Sequence, residues 1–179
     1  MQKNINIIDD IVVNSVERLF NFLGFTVPFK ASKDDNLEPY LNYDTFGLVI
    51  TMGQLMNGAW GISVSSDLLR TSHKLATNRE LIDEKDWLTE LTNQVVGIIK
   101  TRLVEYNMDF EVSTVLIVNR EHLLDSFWPI APIRHQHFEN HNGFLDIFYG
   151  VYFSFSVDLD SMTPDKEKVI GTLGSGIVF

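Results

Sequence analysis

The chain predicts an α/β sandwich, a mainly antiparallel sheet with helices packed on a face. Two helix-period segments, at 7–23 and from 86 to about 106, are separated and followed by β-branched or alternating runs. Asn142-Gly143 between two such late runs is a hairpin signal. Helix, strands, helices and further strands in that order favour antiparallel pairing over a regular βαβ alternation.

The first helix is expected over residues 7–23, burying Ile8, Ile11, Val12, Val16, Leu19 and Leu23, with Gly24 as its C-terminal cap. Residues 26–42 read as mixed structure around a polar loop at 33–36. Residues 46–52 and 60–65 read as strands joined through a turn region at 54–58, because Gly47, Gly53, Gly58 and Gly61 favour bends or bulges over helix. Ser66 or Asp67 can cap a short helix ending near Ala76. A charged connector at 77–85 leads into the second long helix, for which Asp83 and Asp86 form a capping arrangement. Residues 110–118 are β-branched and predict one strand. Strands at 134–139 and 144–159 are expected to flank a turn at 141–143, with Gly150 bending or bulging the second. The Gly-rich segment 161–179 reads as a C-terminal extension of a single domain spanning 1–179.

Composition narrows the function classes. A chain of 179 residues with 45% hydrophobic residues is most simply one domain with a substantial core. Its net charge of −10 argues against nucleic-acid phosphate as the main partner. The absence of cysteine excludes disulfides, thiolate metal sites and thiol nucleophiles. Asp9 and Asp10 interrupt what would be the apolar run of a signal peptide, and no run reaches the roughly 18 apolar residues of a membrane span. The expectation is a cytoplasmic protein with no membrane partner.

The chemistry concentrates on the second long helix. Asp86, Glu90, Asn93, Gly97 and Lys100 fall within about 80° of one another at helical pitch. Leu88, Leu91, Val95, Ile98 and Ile99 take the other side. Glu90 and Asn93, at i and i+3, therefore stand side by side facing outward. Gly97 lies one turn further along, where glycine costs about 1 kcal/mol relative to alanine. A glycine on an exposed face suggests that something must approach the backbone there. Asn offers a donor and an acceptor without titrating, and can hold a water in line with an electrophile. Glu supplies a fixed charge for a cation on a partner. Phosphoryl transfer needs this kind of positioning and electrostatic help more than covalent help. Asp86 has two readings of equal weight, since a carboxylate in a first turn is also favoured by the helix dipole.

The pattern D/S-x-x-x-E-x-x-N, continuing into small and apolar residues and a basic turn, resembles the signature of the CheC/CheX/FliY chemotaxis phosphatases. Here it reads Asp86, Glu90 and Asn93, followed by Val95-Val96-Gly97-Ile98-Ile99-Lys100-Thr101-Arg102-Leu103. One such motif is present, which is similar to CheX; CheC-like chains usually carry two. The resemblance spans residues 5–158, weakly outside the helix. It implies a CheX-like fold and a phosphatase acting on the phospho-aspartate of a CheY-like receiver domain. Glu90 and Asn93 would be the catalytic pair, Asn93 orienting water and Glu90 pairing with the partner's lysine. Asp86, Gly97 and Lys100 would contact the partner. The resemblance further implies Mg²⁺ held by the phosphorylated partner, no cofactor of the chain's own, and a homodimer. The family usually has a proline about two dozen residues after the asparagine, where this chain has Glu111-Val112-Ser113-Thr114. The rival reading is a non-catalytic binding or scaffold module, as in FliM-type switch domains that share the fold without the pair.

Other motifs are weaker. His135, His137 and Glu139 would share one face of a strand and could ligate zinc, but polar residues recur at this period on any solvent-facing strand. The expectation is no metal. Gly171, Gly174 and Gly176 lack the strand-then-helix context of a phosphate loop. No nucleophile elbow places Ser, His and Asp together. Trp60, Trp87 and Trp128 are expected in the core or at an interface.

Overall fold

The computed structural model describes residues 2–25, 29–32, 45–127, 133–154, 157 and 164, with backbone alone at 2–5 and 124–127. The 33–36 loop, Trp128, the three tail glycines and all of 161–179 except residue 164 lie outside the described residues.

Helix α1 (Gln2–Phe22) starts earlier than its apolar period indicates. All six expected stripe residues are buried. Gly24 takes φ +93°, which an L side chain resists, and Phe25 N–H donates to Phe20 O at 3.0 Å to close the helix end. The Phe20, Phe25 and Phe29 rings then pack on one another, with centroids 4.6–5.9 Å apart, and fix the chain's exit.

The sheet is antiparallel throughout. Strand β2 (Phe46–Met52) pairs with β3 (Met56–Val64). Beyond β3 lie β7 (Gly143–Phe153), β6 (Arg134–Asn140) and the edge strand β1 (Lys30–Ser32). On its other side β2 carries both β4 (Glu111–Val112) and β5 (Leu116–Val118). The expected single strand at 110–118 is therefore broken. Between the pairs Thr51↔Val112 and Leu48↔Leu116 the outer chain spends one residue more than β2, which is a β-bulge. Ser113 stabilises it: its N–H donates to Ile50 O at 2.9 Å, and its Oγ accepts from Ile50 N at 3.0 Å.

Strand β3 begins at Met56 rather than near Trp60, so the turn is shorter than the glycines suggest. Gly58 sits inside the ladder opposite Val151, where a Cβ would come within 3.0 Å of Gly150 O. It serves close strand approach, not a turn. Gly150 does not bulge β7, which pairs with β3 without interruption from Leu145 to Phe153. The late turn is as expected, with Asn140 opposite Gly143, but β7 ends at Phe153 and does not continue through Ser154 and Val157 as the expected 144–159 strand would. β1 and the short helix α4 (Arg120–Phe127), whose first turn is capped by Asn119 Oδ1 accepting from His122 N at 3.1 Å, were not anticipated.

The two sheet faces differ. One packs Val49, Trp60, Ile62, Phe138, Leu145, Ile147 and Tyr149 beneath the helices. The other holds a smaller cluster of Phe46, Leu48, Ala59 and Phe148 with Leu123 of α4. Helix α2 (Ser66–Thr77) is capped by Ser65 rather than by Ser66 or Asp67. Helix α3 (Glu84–Val104) packs against α1, α2 and β2. It comes close to β2 because Gly47 has no Cβ; one added there would overlap the Thr92 hydroxyl.

A polar tie crosses the helix face. Asp9 of α1 accepts from Arg134 at 2.6 Å and from the Tyr149 hydroxyl. Burial, reinforced by the Asp9 carboxylate, pushes the Tyr149 phenol well above its ordinary value. No helix among the described residues is long and apolar enough to cross a membrane.

Candidate functional site: the outer stripe of α3

Asp83 is the N-cap of α3, its Oδ1 accepting from Lys85 N at 2.8 Å and Asp86 N at 3.4 Å. Asp86 is thus a first-turn residue whose carboxylate does not cap. Beyond this turn the helix is buried over more than half of its circumference. Leu88, Leu91, Val95 and Ile99 are in the core, and so are Trp87, Thr92, Gln94 and Val96; Ile98 is half-buried. Each buried aliphatic contributes about 1.5–3 kcal/mol, so the helix is firmly anchored. What remains outside is a narrow stripe. Asp86, Asn93 and Gly97 are exposed, while Glu90 and Lys100 are half-buried.

The stripe residues are held to different degrees. Glu90 Oε1 accepts from Gln94 Nε2 at 2.7 Å, so the carboxylate has a fixed orientation before any partner arrives. Gln94 was not singled out by sequence; its place one turn after Glu90 is the signal that could have found it. Its amide lies under the stripe, with Oε1 buried and without a partner among the described residues. Asn93 makes no side-chain hydrogen bond among the described residues, so its amide is available to solvent. A Cβ at Gly97 would meet nothing within 4 Å, so the fold does not require glycine there. Thr101 Oγ1 donates to Gly97 O at 2.9 Å. Lys100 Nζ lies 5.7 Å from the Phe110 ring centroid, which holds it at the far end of the stripe.

Of the stripe residues, Asp86 borders a hollow shared with His73, Arg79 and Trp87. A cleft of about 670 Å³ opens between the first turns of α2 and α3, lined by Ser65, Ser66, Asp83, Glu84, Lys85 and Leu88 among others. Its polar groups are engaged: Ser65 caps α2, and Glu84 accepts from Ser66 at 2.9 Å and Arg70 at 3.0 Å. Neither Glu90 nor Asn93 lines it. The outer stripe can present an amide and an oriented carboxylate to another molecule, but it does not enclose a small substrate.

The weaker motifs are placed as follows. Trp60 stacks on Tyr149 and Trp87 donates to Ser72 Oγ at 2.8 Å, both inside the core. His135, His137 and Glu139 do share one face of β6, but Glu139 is exposed and its carboxylate is 3.9 Å from His137 Nε2. Asp146 of β7, not Glu139, joins the two histidines.

No protein-family model matches the sequence, and no curated protein does. Solved structures do match the architecture. The chemotaxis protein CheX from Vibrio vulnificus is 17% identical, covering 81% of this chain and 99% of its own, at a TM-score of 0.66. A CheC-like superfamily protein from Shewanella is 18% identical over 83% of this chain and 96% of its own, at 0.59. CheX from Borrelia burgdorferi, in a complex with CheY, BeF3 and Mg²⁺, is 10% identical over 79% of this chain and 96% of its own, at 0.59. At these identities the likeness speaks to architecture: the chain has the fold of the CheX and CheC-like chemotaxis proteins.

Proposed function

We propose that this chain stimulates hydrolysis of the phospho-aspartate of a CheY-like receiver domain. The observation that carries the proposal is the unengaged Asn93 amide beside a Glu90 carboxylate pre-oriented by Gln94, on an exposed stripe. Its support from architecture is that a similar fold is seen in complex with CheY, BeF3 and Mg²⁺.

In this reading the receiver brings the acyl phosphate, its lysine and its Mg²⁺, and the ion offsets negative charge there. Glu90 pairs with the lysine and sets the register of docking. Asn93 reaches the phosphoryl group and its Oδ1 accepts a hydrogen bond from a water, aligning it for attack. The water oxygen bonds to phosphorus, the bond from phosphorus to the aspartyl oxygen breaks, and carboxylate and inorganic phosphate are released. Because the water and phosphoryl group are positioned in advance, the gain is mainly entropic. Asp86 and Lys100 flank the docked surface, and open space at Gly97 lets the partner's backbone come close.

The same reading carries a cytoplasmic location and a homodimer. Met52, Leu116 and Tyr152 are exposed on the α4 side of the sheet and are apolar surface that a second copy could cover.

The test adds the purified chain to candidate receivers loaded with phosphate in the presence of Mg²⁺. Phosphate loss accelerated in proportion to the chain supports the reading. Binding without acceleration would assign a docking module, and neither effect with any receiver would remove the proposal.

A further inference from the structure

On the sheet face away from α3, β6 and β7 bring together three side chains that the proposed function does not use. His137 stands directly opposite Asp146, and His135 lies one residue pair along the same face, opposite Phe148. Asp146 Oδ1 is 2.7 Å from His135 Nε2 and 2.8 Å from His137 Nδ1. One ligand atom from each residue lies within 4.8 Å of the others.

The setting is unfavourable for a bare carboxylate. Asp146 and His135 are fully buried, at 0% and 2% exposure. The His135 ring stacks on Phe148 at 4.8 Å, and His137 on Phe144 at 6.1 Å, so the walls are aromatic. Asp146 Oδ2 is buried and has no hydrogen-bond partner among the described residues. An acceptor oxygen in this position is costly unless a cation or donor meets it.

The geometry points to a divalent transition-metal site, with Zn²⁺ the best fit, formed by His135 Nε2, His137 Nδ1 and Asp146. Two imidazoles and one carboxylate are a borderline donor set that suits this class of ion, with water in the remaining position. Bonds of about 2.0–2.2 Å to a tetrahedral ion set neighbouring ligand atoms about 3.3 Å apart. The Asp–His pairs need to open by about half an ångström to reach that spacing, and the two imidazole nitrogens, up to 4.8 Å apart, need to close by as much as about 1.5 Å. His137 is half-buried and gives the ion a way in from solvent. Its other nitrogen lies 3.9 Å from Glu139 Oε2, beyond hydrogen-bond distance, so Glu139 adds nearby negative charge and not a ligand. The site lies across the sheet from Asn93 and would staple β6 to β7, so it stands or falls independently of the phosphatase reading.

The experiment takes the full chain, stripped with a chelator and dialysed, and titrates it with Zn²⁺ by calorimetry and thermal melting. One equivalent should bind and raise the melting temperature. His137→Ala should weaken binding at least tenfold and abolish the rise. A second measurement needs no variant: long-range ¹H–¹⁵N spectra of the wild-type histidine rings should show ligation at His135 Nε2 and His137 Nδ1. Failure of wild type to bind Zn²⁺ overturns the proposal. So does equal affinity in a folded His137→Ala chain, or ring shifts confined to His73, His122 or His141.

Discussion

Replacing Gly97 separates what the fold needs from what a partner needs. A Cβ at this position meets nothing within 4 Å, and the residue is exposed on a regular helix. Gly97→Ala should therefore recover the helix-propensity cost of glycine, about 1 kcal/mol, and Gly97→Leu slightly less. For a chain of this size 1 kcal/mol moves the melting temperature by about 2–4 °C. Both variants should melt above wild type. A leucine also adds four carbons to a surface that, in the proposed complex, lies one turn from Asn93 against the receiver. Gly97→Leu should lower stimulated dephosphorylation about tenfold, while Gly97→Ala loses less; tenfold corresponds to about 1.4 kcal/mol of lost docking. Thermal melting and phosphate release, measured on the same preparations, give the two readouts. A melting temperature below wild type would refute the placement of Gly97 in open space. Higher stability with undiminished activity would show that the partner docks elsewhere.

Two further perturbations address the oriented carboxylate and the buried phenol. Glu90→Ala should weaken receiver binding about tenfold, and Glu90→Lys more, with the difference shrinking as salt is raised; equal affinity in all three chains would take Glu90 out of the interface. Tyr149 has a folded pKa raised by burial and by Asp9, so its contribution is complete below the unfolded value of about 10 and is lost as pH rises beyond it. Unfolding free energy should then fall above pH 10 by up to about 1.4 kcal/mol per pH unit. Tyr149→Phe should lack this slope in denaturant titrations, and an unchanged slope would show that other groups set the alkaline limit.

The outer stripe was legible in the sequence because helical period alone separates Asp86, Glu90, Asn93, Gly97 and Lys100 from the apolar side. Asp83 was legible for a related reason, since capping chemistry is local. Gln94 was not, because a glutamine one residue past the stripe reads as another polar surface residue until packing buries it. The bulge at Ser113 escaped because composition registers β-propensity but not the extra residue of one strand against its partner. Helix α4, at eight residues, is too short to show a period, and β1 at three is too short to alternate. The Asp146 pairing is an intermediate case. The two-residue turn after Asn140 fixes the hairpin register, and that register sets His137 opposite Asp146. Same-strand spacing suggested Glu139 instead, because it ignores the neighbouring strand.

The most direct measurement is the decay of a phosphorylated receiver domain with wild-type chain and with Asn93→Ala, at receiver-saturating concentration. Asn93 is exposed and makes no side-chain bond among the described residues, so the variant should keep the wild-type melting temperature within the roughly 0.5 kcal/mol typical of surface changes. It should still bind the receiver, yet leave the phospho-aspartate decaying at the receiver's own rate. Full stimulation by a folded Asn93→Ala chain would contradict the account, because the amide held in place by α3 would then have no part in positioning the water.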